Sequence, residues 1–364
     1  MTVGFYSPLP PASTGVADYS ASLLKALQPL VRVHVNADGD VCVYHLGNNH
    51  LHRDIYSRAL ERPGVAILHD AVLHHFFLGT LNHDRYVEEF VFNYGEWSRP
   101  QAETLWRERA RSAVDPRYFA YAMLRRVAGI SRAVIVHNPG AAAVVRAHDP
   151  QVQVFEIPHL LDPPPAVLPS QIERVRKSWN IDRGTFVFGI FGHLRESKRL
   201  NICLSAFEMI RDQTDCALLV CGNFVTGELE RKMAPLLNKP GILRMGYAPE
   251  PDFWEIAHAT DACLNLRYPA AGETSGIAMR LMGAGKPVIL TASEETSGLP
   301  EGTCLRVDPG AAETEMLAQY MKWLATERQW AGEIGRRAAA YVKDWHAPGK
   351  AARMYLDAIN QAQL

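Results

Sequence analysis

The chain has 364 residues, 48% hydrophobic and 21% charged, with a formal net charge of -1. That length exceeds one ordinary core, so two packed domains are expected. The near-neutral balance argues against a nucleic-acid partner, whose recognition rests on concentrated positive charge.

Met1 leads straight into the strand-like Val3-Gly4-Phe5-Tyr6 with no basic leader. No run of about 18 apolar residues offers a transmembrane helix. The six cysteines (Cys42, Cys203, Cys216, Cys221, Cys263, Cys304) are scattered and form no CxxC. They read as buried thiols in a reducing cytoplasm, so a cytoplasmic protein is expected, with the inner membrane surface left open.

Strand-like and helical runs then alternate. Val3–Ser7 is an apolar strand, Val16–Leu27 has helical spacing, and Val31, Val33 and Val35 alternate. Val41–Leu46, Val65–Leu68 and Ala133–Val136 are short apolar runs. This rhythm predicts a parallel sheet covered on both faces. A helical insertion at about 84–130 interrupts it, carrying Arg107, Arg109, Arg111, Arg117, Arg125 and Arg126. Those arginines suit an anionic acceptor or a membrane surface, but Glu103, Glu108 and Asp115 interleave and favour a solvated face. Leu161-Asp162-Pro163-Pro164-Pro165 continues neither a helix nor a central strand, so residues 1–160 are expected as the N-terminal domain. The alternation restarts at Phe186–Phe191, a helix from Leu200, Ala217–Cys221, Ile242–Met245, Ala262–Leu266 and Pro287–Thr291. Residues 171–340 are expected as a second domain. The stretch Ala311–Leu364 is helical, and its last part, 341–364, is expected to pack back on the N-terminal domain. Two doubly wound domains facing across a cleft would bind ligands at the carboxyl ends of their strands.

Four loops could carry chemistry. In Arg267-Tyr-Pro-Ala-Ala-Gly-Glu273-Thr274-Ser275-Gly276-Ile277, a strand end meets a Gly-rich loop and a helix starting at Thr274 or Ser275. Free amides of Ser275, Gly276 and Ile277 would face an anion, and the helix dipole favours negative charge there. Glu273 at the loop mouth could accept bonds from sugar hydroxyls; the plain alternative is a helix cap with an exposed Glu. In Gly192-His193-Leu-Arg195-Glu-Ser-Lys198-Arg199, the cations could bind phosphate or form a solvated basic loop. It is not GxGxxG, which sets aside a dinucleotide oxidoreductase. Gly15 and Val16, after the first strand, would let a ligand pass close, or form an ordinary turn. His69 follows the strand Val65–Leu68 on the expected cleft side. His74 and His75 are adjacent and make a poor metal pair, and Asp38-Gly39-Asp40 reads as a turn rather than a metal-binding DxD.

In order, these segments resemble the retaining glycosyltransferases of the GT-B fold, family 4. The E-x-F-G-type loop reads Glu273-Thr-Ser-Gly276, the following G-K-P-V reads Gly285-Lys-Pro-Val288, and G-R-L-x-x-x-K reads Gly192-His-Leu-Arg-Glu-Ser-Lys198. The first-strand Gly turn and the strand-end His correspond to Gly15 and His69. The resemblance spans nearly the whole chain. It implies that Ser275, Gly276, Ile277 and Lys198 hold the donor diphosphate, that Glu273 contacts the transferred sugar, and that His69 lies near the reacting centre. It also implies a nucleotide-sugar co-substrate, UDP- or GDP-linked, an unidentified acceptor, and no bound metal or other cofactor. Two positions depart from the pattern. The family's first-loop Arg is His193, so Arg195 or Arg199 is expected to substitute. The second Glu of E-x7-E is missing and Arg280 stands roughly in its place, which bears on the ribose contact. An epimerase or phosphorylase of the same fold, or a non-catalytic binding scaffold, remains the alternative.

Overall fold

The apolar runs become strands of two six-stranded sheets in the computed structural model, which describes residues 1–12 and 14–363. Ser13, in the turn before Gly15, and Leu364, in the expected final helix, lie outside the described residues. The first sheet holds β1 (Thr2–Tyr6), β2 (Arg32–Val35), β3 (Val41–Leu46), β4 (Val65–Leu68), β5 (Ala133–Val136) and β6 (Val154–Glu156). Their order is β2-β1-β3-β4-β5-β6, with every pairing parallel. Every residue of β3, β4 and β5 is buried, as helices on both faces of a parallel sheet require.

The second sheet holds β7 (Phe186–Phe191), β8 (Cys216–Cys221), β9 (Ile242–Met245), β10 (Ala262–Asn265), β11 (Val288–Thr291) and β12 (Leu305–Val307). Its order is β12-β11-β10-β7-β8-β9, again all parallel. Renumbered within its own half, this is the 3-2-1-4-5-6 order of Rossmann-type sheets. The chain therefore has the GT-B fold, two Rossmann-like α/β domains. The edge strands β6 and β12 escape the sequence reading because three residues give no readable period.

Two units emerge from the packing. One comprises Met1–Asp162, Pro269–Thr274 and the residues from Trp345 onward; the other comprises Pro163–Tyr268 and Ser275–Asp344. Inside the first unit, the helix Pro348–Gln361 buries Ala351, Ala352, Tyr355, Ala358 and Ile359 in one cluster with Tyr19, Leu23 and Leu27 of the helix Gly15–Leu27. The Tyr355 and Tyr19 hydroxyls lie 2.7 Å apart in that cluster. The inserted helices start at His74, earlier than expected, and run to Ile130 around buried Tyr86, Phe90 and Tyr118. Their arginines are largely engaged: Arg117 pairs with Glu108 and Asp115, Arg126 pairs with buried Glu89, and Arg109 lies over the Trp106 ring.

Asp38-Gly39-Asp40 is a structural turn. The hydrogen bond from the Tyr6 hydroxyl, then the pairings with Arg58 and Arg62, hold the Asp38 carboxyl well below the usual range. Asp40 accepts the Thr2 amide at 2.7 Å. Among the described residues no helix is long and apolar enough to cross a membrane.

Tyr355 is fully buried, so Tyr355→Ala should lower unfolding stability by roughly 3–5 kcal/mol. Tyr355→Phe should cost only about 0.5–1.5 kcal/mol, the net worth of the lost hydrogen bond to Tyr19. Urea unfolding measures both; equal, near-zero losses would show that the C-terminal helix is not part of the first unit's core.

Candidate functional site

In the second sheet the strand order reverses between β7 and β10, and open α/β sheets bind ligands at the carboxyl ends flanking such a point. β7 ends in Gly192, whose φ of +87° suits glycine alone. Its amide donates to the Cys221 carbonyl at 3.0 Å, and a Cβ on neighbouring Gly222 would stand 2.0 Å from the Gly192 oxygen. The two backbones therefore touch, and the turn beyond them is fixed. The short helical turn Glu196–Lys198 then folds Lys198 back over the strand end. Its side chain is 6% exposed and its ammonium donates to the Phe191 carbonyl. Burial pushes its pKa down to about 7, and nearby Arg267 and Arg195 push the same way.

Beyond β10, the Arg267 amide donates to Thr291 Oγ1 at 2.9 Å and its guanidinium to Ser275 Oγ at 3.2 Å. Ser275 caps the helix Gly276–Gly283, accepting the Ala278 amide at 3.3 Å. The amides of Gly276 and Ile277 precede the first intrahelical bond and lie at the positive end of the helix dipole. Loop and helix meet. The point where a Cβ on Gly192 would sit is 3.4 Å from Lys198 Nζ and 3.5 Å from Ile277 Cγ1. A buried ammonium, a guanidinium and a helix N-terminus thus gather at the switch point, an arrangement suited to a diphosphate.

Two predicted donor-binding residues have other partners in the structure. Arg199, with φ +55°, grips the carboxylate of Glu313, which is 1% exposed, and lies over the Tyr268 ring. That pairing spans 114 residues and leaves no local signal. Arg280 pairs with Glu250 and stacks on Phe253 and Trp254, 4.0 and 4.7 Å from their ring centres. His193 and Arg195 are exposed on the loop. Partial burial lowers the His193 pKa, with Arg195 and Lys198 adding to it, so a neutral imidazole is the poorer anion partner.

The first unit carries the remaining residues. Gly15 opens the helix Gly15–Leu27, and nothing lies within 4 Å of where its Cβ would be. Packing does not require glycine there, whereas the approach of a ligand would. The Val16 amide donates to Thr14 Oγ1 at 3.4 Å. Glu273 accepts the Ala271 amide at 2.7 Å, and the Thr274 hydroxyl donates to the His137 carbonyl at 3.2 Å. Asn138 Nδ2 ties this loop down at the Gly272 carbonyl and at Thr274 Oγ1, both 3.0 Å. His69, directly after β4, has its Nε2 2.9 Å from His45 Nδ1, and the Tyr19 ring meets its edge at 4.9 Å. Burial, reinforced by His45 and His137, holds its pKa well below the ordinary value, so it is neutral.

Three residues were missed: His45 and His137 beside His69, and Asn138 beside Thr274. The signal for the two histidines is a histidine at the carboxyl-terminal part of each central strand, as Tyr44-His45-Leu46, Leu68-His69 and Val136-His137. His74 and His75 point to separate partners, the Tyr86 hydroxyl and the Ser112 carbonyl. Among the described residues no group of three or more His, Cys, Asp or Glu is arranged to hold a metal ion.

The sequence matches no protein-family profile and no curated protein. Solved structures do match. Anabaena HepE in complex with UDP and glucose is similar at TM-score 0.71 and 15% identity, covering 99% of this chain and all of that one. Sucrose-phosphate synthase from Thermosynechococcus elongatus is similar at TM-score 0.71 and 14% identity, over 99% and 98% of the two chains. A Rickettsia africae glycosyltransferase is similar at TM-score 0.59 and 12% identity, over 100% and 98%. At these identities the likeness is one of fold.

The depressed Lys198 pKa has a stability consequence. Below about pH 7 both folded and unfolded Lys198 are charged, and the folded state bears the full cost of burying the charge. Between about 7 and the unfolded value of 10.5 the unfolded chain binds the extra proton, so this contribution to stability rises with pH. Unfolding midpoints from pH 7 to 9 should therefore climb more steeply in the native protein than in Lys198→Met. Parallel curves would contradict the burial of a charged Lys198.

Proposed function

We propose that the protein is a retaining glycosyltransferase that moves a hexose from a UDP- or GDP-sugar to an acceptor. The observation that carries this reading is that the Lys198 ammonium and Ile277, at the N-terminus of the helix Gly276–Gly283, both border the Gly192 turn at the switch point of a Rossmann-type sheet. The HepE complexes with UDP, UDP-glucose, and UDP and glucose support it by analogy of fold.

In this reading Lys198 and the Gly276 and Ile277 amides take the donor diphosphate. They stabilise the charge that grows on it as the glycosidic bond breaks, the electrostatic service a metal supplies elsewhere. Glu273 and Thr274 orient sugar hydroxyls, His69 lies against the sugar, and Gly15 and Val16 leave room for it. Front-face attack by the acceptor hydroxyl gives retention, and the departing diphosphate takes up the acceptor's proton. No cofactor enters, because the nucleotide-sugar is a co-substrate. Six cysteines without disulfides suit a cytoplasmic enzyme.

Lys198→Ala and Glu273→Ala should each lower kcat/KM by about 10²–10³-fold, some 3–4 kcal/mol of transition-state stabilisation. The assay is acceptor-dependent release of free nucleotide over a panel of glycans, lipid-linked sugars and small molecules. Undiminished release in both variants would remove this site assignment. Conversion of the sugar nucleotide without any acceptor would move the reading to an epimerase.

A further inference from the structure

His69 stands in a line of buried polar groups that decides which of its nitrogens carries the proton. The line begins at the Pro8 carbonyl, which lies 2.9 Å from Ser7 Oγ and can only accept. Ser7 Oγ also donates across a 2.7 Å contact to Ser20 Oγ. Ser20 Oγ has a second lone pair and lies 3.3 Å from His45 Nδ1. His45 Nδ1 in turn faces His69 Nε2 at 2.9 Å.

The opposite ring nitrogen decides where the His45 proton sits. His45 Nε2 is buried without a hydrogen-bond partner. A stranded N–H there would cost more than a bare lone pair, since orphaned donors are the rarer defect in folded proteins. Two nearby histidines follow this pattern. His52 and His137 each direct Nδ1 at a backbone carbonyl, that of His45 and of Ile157, and each leaves Nε2 buried and bare. Burial lowers the pKa of all three, His45 included, so each ring carries a single proton.

We infer that His45 is a positioning residue that holds His69 in the Nδ1–H tautomer, so that His69 serves its site as a hydrogen-bond donor and not as a proton acceptor. Its Nε2 is occupied by the His45 N–H, and its one proton sits on Nδ1. This tautomer is the opposite of the one a free histidine side chain favours in water, so the arrangement has to be imposed. The oxygen that receives the Nδ1–H is that of a sugar hydroxyl or of the departing group. That last step rests on the proposed transferase reading, whereas the tautomer does not.

The test is ¹⁵N NMR of the histidine rings in the full-length protein, with His69 assigned by the signals lost in His69→Asn. The expected result is a pyrrole-like Nδ1 and a pyridine-like Nε2 for His69. His45→Phe, which removes the donor, should return His69 to the Nε2–H form, and His45→Asn, whose amide can donate from nearly the same place, should preserve Nδ1–H. A pyridine-like Nδ1 in the native protein overturns the inference without any variant. Retention of Nδ1–H in His45→Phe overturns the role given to His45. None of these readouts depends on turnover, so a failed transferase assay and a failed tautomer are separate results.

Discussion

A buried ammonium with no carboxylate partner among the described residues sets the terms for the second domain. Lys198 is almost out of water, has the Phe191 carbonyl for an acceptor, and shares its surroundings with Arg267. Burying charge in this way is unfavourable by itself. It persists because the backbone leaves little choice: Gly192 turns where glycine alone fits, Gly222 locks against it, and Ser275 and Arg267 fix the start of the next helix. An anion bound here would return Lys198 to its ordinary charged state and occupy the Gly276 and Ile277 amides in the same event. Ligand binding and relief of that burial cost are thus one process, which is what a preorganised anion site requires.

The first domain is built on the opposite principle. The histidine and tyrosine rings around His69 are neutral: His45, His69 and His137 are held below their ordinary pKa, and Tyr19 above its own, by burial. Specificity in such surroundings comes from fixed donors and acceptors instead of net charge. The C-terminal helix contributes through the Tyr355–Tyr19 contact, and the Glu273 loop contributes through Asn138 and the His137 carbonyl.

Much of this was legible in the sequence, for identifiable reasons. Strands β1, β3, β4, β5 and β7 are continuous apolar runs because both faces are covered, and their ends fall close to where the runs stop. Ser275 as a cap and Gly192 as a turn follow from residue chemistry, with the helix starting at Gly276. The partners of Arg199 and Arg280 were not legible, because Glu313 lies 114 residues away, and Glu250 with Phe253 and Trp254 belongs to a different helix. The strand-end histidines are visible as a pattern, yet only folding shows that they meet. His69 read alone says nothing of which nitrogen carries its proton, whereas His69 beside His45 is a donor.

The most direct test of the account is a thermal-shift titration of the native protein with UDP, GDP and ADP in metal-free buffer containing a chelator. Binding to the native state alone raises Tm by mass action. The account predicts a rise in Tm with UDP or GDP that disappears in Lys198→Ala. No rise with any of the three nucleotides, or an undiminished rise in Lys198→Ala, would contradict it.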